Sequence, residues 1–498
     1  MRIRNYEDLI NHGNVKGRKM MADIMEAGLS AGNPYSNTLS LVSIRDNKLI
    51  FDNRAMEPSG DPRSGPAVYD LDVIERIFIF AVGKGILFIV KALEDVIGER
   101  LTGGLAMGKH GDDLVSNSRV EVTFGGHPVP DEHSVAGCRR IMDMAASLNL
   151  TENDLVITIM GNGCSALAAL PAEGISVEDL AFLNQMGLID TGMTTEAMSY
   201  LRNQIDCFRG GRVVRAMRPA QIVNLVGINP ASHEITEKYE NPYENFLRTN
   251  LWLPNLPDCT TTPEAIEVAK KWGIYDRLPK SILDKLLSNP KESDTLSFDE
   301  FESFDCRVFG VMPAGMSVIA AAQAKAEEYG FKTLMLTANT HCEAAPTGHY
   351  VAQLAKYSEK MKTPFAPPCA LFQSGELIVT VGGQTGVGGT NQEFCAAASL
   401  VIDGNKRIII AGIDTDGTDG PGGDFHPDAV ARGIRCLTGG IVDGYTAGCA
   451  REKGIDLFRA VKTHGTSAPL WELGSGIAAR QGISVGDMQC VLIMDEDG

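Results

Sequence analysis

The chain has 498 residues, 44% hydrophobic and 22% charged, enough for two or three packed domains at roughly 150 residues each. A formal net charge of −18, offset by no basic stretch, excludes a nucleic-acid surface but leaves small anions open as ligands, since a site can be locally positive. No run of about 18 apolar residues predicts a membrane span, the N-terminus lacks a signal-peptide core, and eleven scattered cysteines without a C-x-x-C pair read as reduced thiols of a cytoplasmic protein.

In chain order, "IFIFAV" predicts a buried strand followed by a helix from Ile86. "DLVITIM" predicts a second, followed by a helix after Ser165, and "QIVNLVGI" a third. Strand and helix in alternation predict a parallel sheet covered on both faces. The Pro- and Asn-rich segment 236–263 reads as a long loop or boundary, 264–289 as helical, and the acidic "KESDTLSFDEFESFD" as a solvated surface. A second α/β unit begins near Val308, with a helix in "MSVIAAAQAKAEEYG" and strands in "KTLMLT", "LIVTV", "RIIIAGI" and "CVLIM". The predicted organisation is an α/β domain over 1–262, a helical and acidic connector over 263–305, and a smaller α/β domain over 306–498.

Ligands of open α/β sheets bind beyond the carboxyl ends of strands, so the loops there are the candidates. After the first strand comes Gly83-Lys84-Gly85, a glycine-flanked cation suited to an anion. It is not a Walker A loop, because Gly85 follows the lysine; a tight turn with a solvated lysine is as good a reading. "HPVPDEHS" holds His127, either a ligand or a structural histidine, then Asp131, placed to cap a helix, and Glu132 in its first turn. "GNGCSA" fits G-x-G-x-x-A, with Glu178 and Asp179 downstream. A plain anion site on Asn162, Gly163 and Ser165 is the commoner meaning of so short a match.

"GGQTGVGGTNQE", residues 382–393, follows "LIVTV" and leads into the helical "EFCAAASLVI". Its N–H groups suit a phosphate or carboxylate, yet Thr390 stands after Gly388-Gly389 where a cation would help. In "IDTDGTDGPGGD", Asp414, Asp416 and Asp419 offer hard oxygens for Mg²⁺, or form a cluster of Asx turns.

Taken in order, these loops resemble the glycerate 2-kinases whose C-terminal half is the MOFRL domain, from about residue 20 to about residue 495. "AVGKG", "GGHPVPDEHSVAG", "GNGCSAL", "LRNQIDCFRGGRV", "SGELIVTVGGQTGVGGTNQE" and "DTDGTDGPGGD" carry the likeness. The resemblance implies a Rossmann-like N-terminal domain with a parallel sheet, a smaller α/β C-terminal MOFRL-type domain, and a cleft between them. It implies ATP-dependent, Mg²⁺-assisted phosphorylation of the 2-hydroxyl of D-glycerate. Lys84 then becomes a catalytic residue, Gly83, His127, Arg212, Glu376, Asn391 and Glu393 fall among the substrate and anion contacts, and the three aspartates become metal ligands.

The sequence also departs from the family. Arginine is usual where Thr390 stands, and Arg202-Asn203-Gln204 replaces an Arg-Lys-His segment. Asn229 and His233 occupy the places of two aspartates, and Gly161 that of a serine. Phosphoryl transfer depends on gathered charge, so these changes bear on catalysis more than on binding. The alternatives are an isomerase, lyase or hydrolase of a small carboxylate, with His233 and Cys164 as acid/base or nucleophile, or a silent ligand-binding protein. The oligomeric state is not legible.

Overall fold

The computed structural model describes the whole chain except residues 113, 116–118, 229–238, 289–293, 313–317, 384–385, 483–485 and 496–498. It packs as two compact units, residues 34–314 and residues 1–33 with 315–498.

The N-terminal unit opens with a small antiparallel sheet of β1 (Val42–Arg45), β2 (Lys48–Phe51) and β3 (Ala67–Asp70). Its main sheet comprises β4 (Arg76–Val82), β5 (Leu101–Lys109), β6 (Val120–Gly125), β7 (Asp154–Met160), β8 (Gln221–Val226) and β9 (Cys306–Gly310). All pair in parallel, in the order β6-β5-β4-β7-β8-β9. That is the 3-2-1-4-5-6 order of a dinucleotide-fold sheet, with its switch point between β4 and β7. β7 is buried along its whole length, which explains its unbroken apolar run.

The helix Glu132–Ser147 starts as expected: Asp131 accepts the N–H of Ser134 at 2.9 Å, and His110 lies 2.8 Å from the same carboxylate. Burial alone would raise the Asp131 pKa, but bonds from Ser134, His110 and Gly126 bring it down to about 2. A depressed folded value means stabilisation that is present above the unfolded pKa of about 4 and is lost as pH falls toward 2. Asp131→Ala should therefore cost about 1 kcal/mol at pH 7, and the difference from wild type should shrink in urea melts near pH 2. An undiminished gap there would deny the carboxylate its capping role.

Three expectations yield to tertiary packing. Within 236–263, a helix forms over Pro242–Thr249, because Asn241 caps it and Pro242 presets its first turn; Tyr243, Phe246 and Leu247 are buried. The acidic stretch is not wholly solvated: Leu296 and Phe301 are fully buried, the latter in the helix Phe298–Glu302. The strand at Val308 is β9, paired with β8 through Ile222 and Cys306, so it completes the first sheet.

The compact units thus differ from the boundaries 1–262, 263–305 and 306–498. The N-terminal helix Val15–Ala31 also packs in the C-terminal unit. Its Arg18 is fully buried, donating to the Leu9 carbonyl at 2.6 Å and to Asp443 at 3.4 Å. An amphipathic pattern shows that a face must be covered, not which sheet covers it.

The C-terminal unit holds a mixed sheet of β10 (Lys332–Thr340), β11 (Cys369–Gly375), β12 (Ile408–Asp414), β13 (Gly439–Asp443), β14 (Gly476–Ile477) and β15 (Asp487–Ile493). The order is β10-β11-β15-β12-β13-β14; only β10 and β11 run parallel. "LIVTV" is not a strand. The buried strand is "CALFQSG" just before it, and 377–381 leave the sheet with a single bridge between Ile378 and Glu343. Among the described residues no helix is long and apolar enough to cross a membrane, and all eleven cysteines are free thiols.

Candidate functional site

In the N-terminal unit the loops after β4, β6 and β7 meet at the switch point. The Lys84 N–H donates to the Asn162 carbonyl at 2.7 Å. Gly83 has φ +144°, and a Cβ there would lie 2.6 Å from the Gly161 backbone, so the two glycine turns touch. Gly163 has φ +71°; a Cβ there would stand 2.8 Å from the His127 ring and 3.2 Å from Lys84 Cγ. Lys84, His127, Asn162 and Gly163 are thus brought together. Asn162 Oδ1 is shielded from solvent and has no hydrogen-bond partner. A cation, an imidazole and an unsatisfied amide suit a small polar anion that carries a donor, such as a hydroxy-carboxylate.

Other expected residues are occupied elsewhere. Cys164 is fully buried, its Sγ 3.8 Å from the Trp252 carbonyl, and burial pushes its thiol up to about 12. That is the opposite of an activated nucleophile. Native protein should resist iodoacetamide at Cys164 while the unfolded chain is alkylated, as mass spectrometry of the tryptic peptide would report. Arg212 donates to the carbonyls of Asn203 and Arg209 at 2.9 and 3.0 Å, so it braces a turn rather than facing a ligand. Ser165 contributes its carbonyl to Arg209 at 2.5 Å. Glu178 and Asp179 lie in the first turn of a helix, where Asp179 completes a capping box with Ser176. Asn229 and His233 lie outside the described residues.

In the C-terminal unit the 382–393 loop does hold a carboxylate, and it is the protein's own. Asp419, 1% exposed, sits at the N-terminus of the helix Thr390–Val401. Its Oδ1 accepts the Thr390 hydroxyl and the Asn391 N–H, both at 3.0 Å, and its Oδ2 accepts the Gln392 N–H at 2.9 Å. A Cβ at Gly389 would meet Asp419 Oδ2 at 2.3 Å, and one at Gly388 the His464 carbonyl at 2.4 Å. The paired glycines admit these groups. Burial raises the Asp419 pKa, opposed by the bonds from Asn391 and Gln392.

The metal expectation does not fit this arrangement. Asp419 is spent on the helix terminus, while Asp414 accepts the Asp416 N–H at 3.0 Å and Asp416 accepts Thr418 N–H and hydroxyl, both at 2.7 Å. These are Asx turns. Among the described residues no three His, Cys, Asp or Glu side chains converge on a metal position. Glu376 is exposed, its N–H bonded to the Thr340 carbonyl.

Asn391 is buried between Asp487, to which it donates at 2.7 Å, and Gln489, from which it accepts at 2.8 Å. Glu393 lies 2.8 Å from His464 Nδ1. Asp487, Gln489 and His464 were not anticipated. The first two had a signal, polar residues at alternate positions opening the apolar run "DMQCVLIM"; His464 had none.

A model described as a domain of unknown function (DUF4147) matches residues 20–227, and the MOFRL family model matches residues 369–482. A glycerate 2-kinase of Pyrococcus horikoshii is 29% identical over 463 residues, 91% of this chain and 93% of its own. A putative hydroxypyruvate reductase of Agrobacterium vitis is 28% identical over 78% of this chain and 94% of its own. The crystal structure of a glycerate kinase from Thermotoga maritima aligns with a TM-score of 0.69 at 26% identity, covering 96% of this chain and 99% of that one.

Proposed function

We propose, from the premise that this chain belongs to the glycerate 2-kinase family, that it binds a small hydroxy-carboxylate at the Lys84 loops and phosphorylates it slowly with ATP. The observation that carries the binding half is the convergence of Lys84, His127 and the unsatisfied Asn162 amide on one sheet switch point. Lys84 supplies charge for a carboxylate or phosphate, and the turns after β4 and β7 present backbone to it. The slow half rests on Thr390, a neutral side chain bonded to Asp419 where the family carries arginine. Mg²⁺ would reach this chemistry with ATP; the Asp414, Asp416 and Asp419 loop does not fit as its holder, and no step is assigned to the ion. The burial of Cys164 counts against it as a nucleophile in the hydrolase and lyase readings.

The test is ligand-linked melting. D-Glycerate at 100 times its Kd should stabilise the native protein by about 2.7 kcal/mol. Lys84→Ala should abolish most of that gain while changing the ligand-free stability by about 0.5 kcal/mol or less. Ligand stabilisation that survives in the variant would move the anion site away from Lys84.

A further inference from the structure

We infer that a halide-sized monoanion, chloride in kind, binds in the small cavity lined by Arg202 and Arg209 behind the 161–167 turn. The cavity is lined by Pro130, Ser165, Asn184, the two arginines and the carboxylate-bearing Asp206. Its volume is about 10 Å³, about the room of one water-sized particle and too small for a phosphate, so a halide would fill it tightly.

Both guanidiniums are out of solvent, Arg202 at 4% exposure and Arg209 at 1%. Arg202 uses only Nε, donating to Asn184 Oδ1 at 2.9 Å; its Nη1 and Nη2 are buried with no hydrogen-bond partner. Arg209 donates from Nε to Asn203 Oδ1 at 3.2 Å and from Nη1 to the Ser165 carbonyl, and its Nη2 is likewise unpartnered. Three charged nitrogens thus lack acceptors around one small cavity.

The nearby carboxylates are committed. Asp206 accepts the N–H groups of Leu170, Phe208 and Arg209 at 2.7, 2.7 and 2.9 Å. Asp258, which also acts on Arg209, accepts the Thr260 N–H and hydroxyl. A water could accept from two of the free donors but would leave the third without an acceptor. A halide can accept from all three, and a buried charged donor left without an acceptor is the costly case. Burial, and then Arg209, lower the Arg202 pKa; Asp206 opposes them, and a bound anion would add to that opposition. Because Arg209 also holds the Ser165 carbonyl, occupancy would brace the turn that carries Asn162 and Gly163. This site is separate from the Lys84 constellation and does not depend on the proposed activity.

Crystals of the full chain grown with bromide in place of chloride should show an anomalous peak at the bromine edge in contact with Arg202 Nη1 or Nη2 and Arg209 Nη2. A cavity with density but no anomalous signal, or bromide only at surface positions, would overturn the inference. In solution, halide-free protein should melt higher as chloride replaces gluconate at fixed ionic strength, along a saturating curve, and Arg202→Leu should not respond. Equal wild-type melting in the two salts would also overturn it. Should Arg202→Leu fail to fold, the wild-type bromide map decides alone.

Discussion

Wild-type protein supplied with D-glycerate, ATP and Mg²⁺ is expected to release ADP at well under about 1 per second, below the usual kinase range. An arginine that stabilises the charge of a transferring phosphoryl group is worth on the order of 10³–10⁵ in rate. Thr390 has no charge to offer, and its hydroxyl is committed to Asp419 at 3.0 Å. The same geometry makes Thr390→Arg a poor rescue. The new guanidinium would stand beside the Asp419 carboxylate and pair with it, as arginine and carboxylate readily do. Combining it with Asn229→Asp and His233→Asp should recover more than the separate changes sum to, since residues acting as a unit are non-additive. Coupled ADP assays on wild type, Thr390→Arg and the triple variant are the measurement. Wild-type turnover between about 1 and 100 per second would show that other groups carry the charge.

Asp419→Ala is expected to lower stability by roughly 3–5 kcal/mol, a sum over several orphaned buried donors at about 1–3 kcal/mol each, less what entering water recovers. Those donors are the Thr390 hydroxyl and the Asn391 and Gln392 N–H groups; the Gln392 side-chain amide keeps the backbone carbonyl of residue 419 at 2.9 Å. The loss also removes a negative charge from a helix N-terminus. Asp419→Asn should cost less, because its carbonyl oxygen still serves part of the set. Urea denaturation at pH 7 gives both values. A variant as stable as wild type that had instead lost divalent-metal binding would return Asp419 to the role of metal ligand.

Three strands of the first sheet, β4, β7 and β8, were legible because each is a largely apolar run too short for a helix and closed by glycine. The cap at Asp131 was legible because capping is local, a side chain bonding a backbone group three residues on. "LIVTV" misled for the same kind of reason. Its residues suit a strand, but β11 already fills that place in the sheet and the Leu377 N–H is taken by Asp487 at 2.7 Å. Propensity describes a residue's fit to a half-buried pleated surface, not whether a partner edge is free.

From its sequence alone this protein is an α/β chain with glycine turns at strand ends, a lysine in the first, and a helix after Gly388-Gly389. Those features follow from backbone conformation and short-range periodicity, which neighbouring residues suffice to determine. Tertiary structure alone decided which anion that helix holds, since Asp419 lies 29 positions from Thr390 and only the packed loops bring them within 3.0 Å. It decided that Cys164 is fully buried and that Arg202 and Arg209 line one small cavity, because burial depends on everything packed around a group. It also decided that the first 33 residues pack in the C-terminal unit, because an apolar helix face is buried by whichever surface complements it, however distant in the chain.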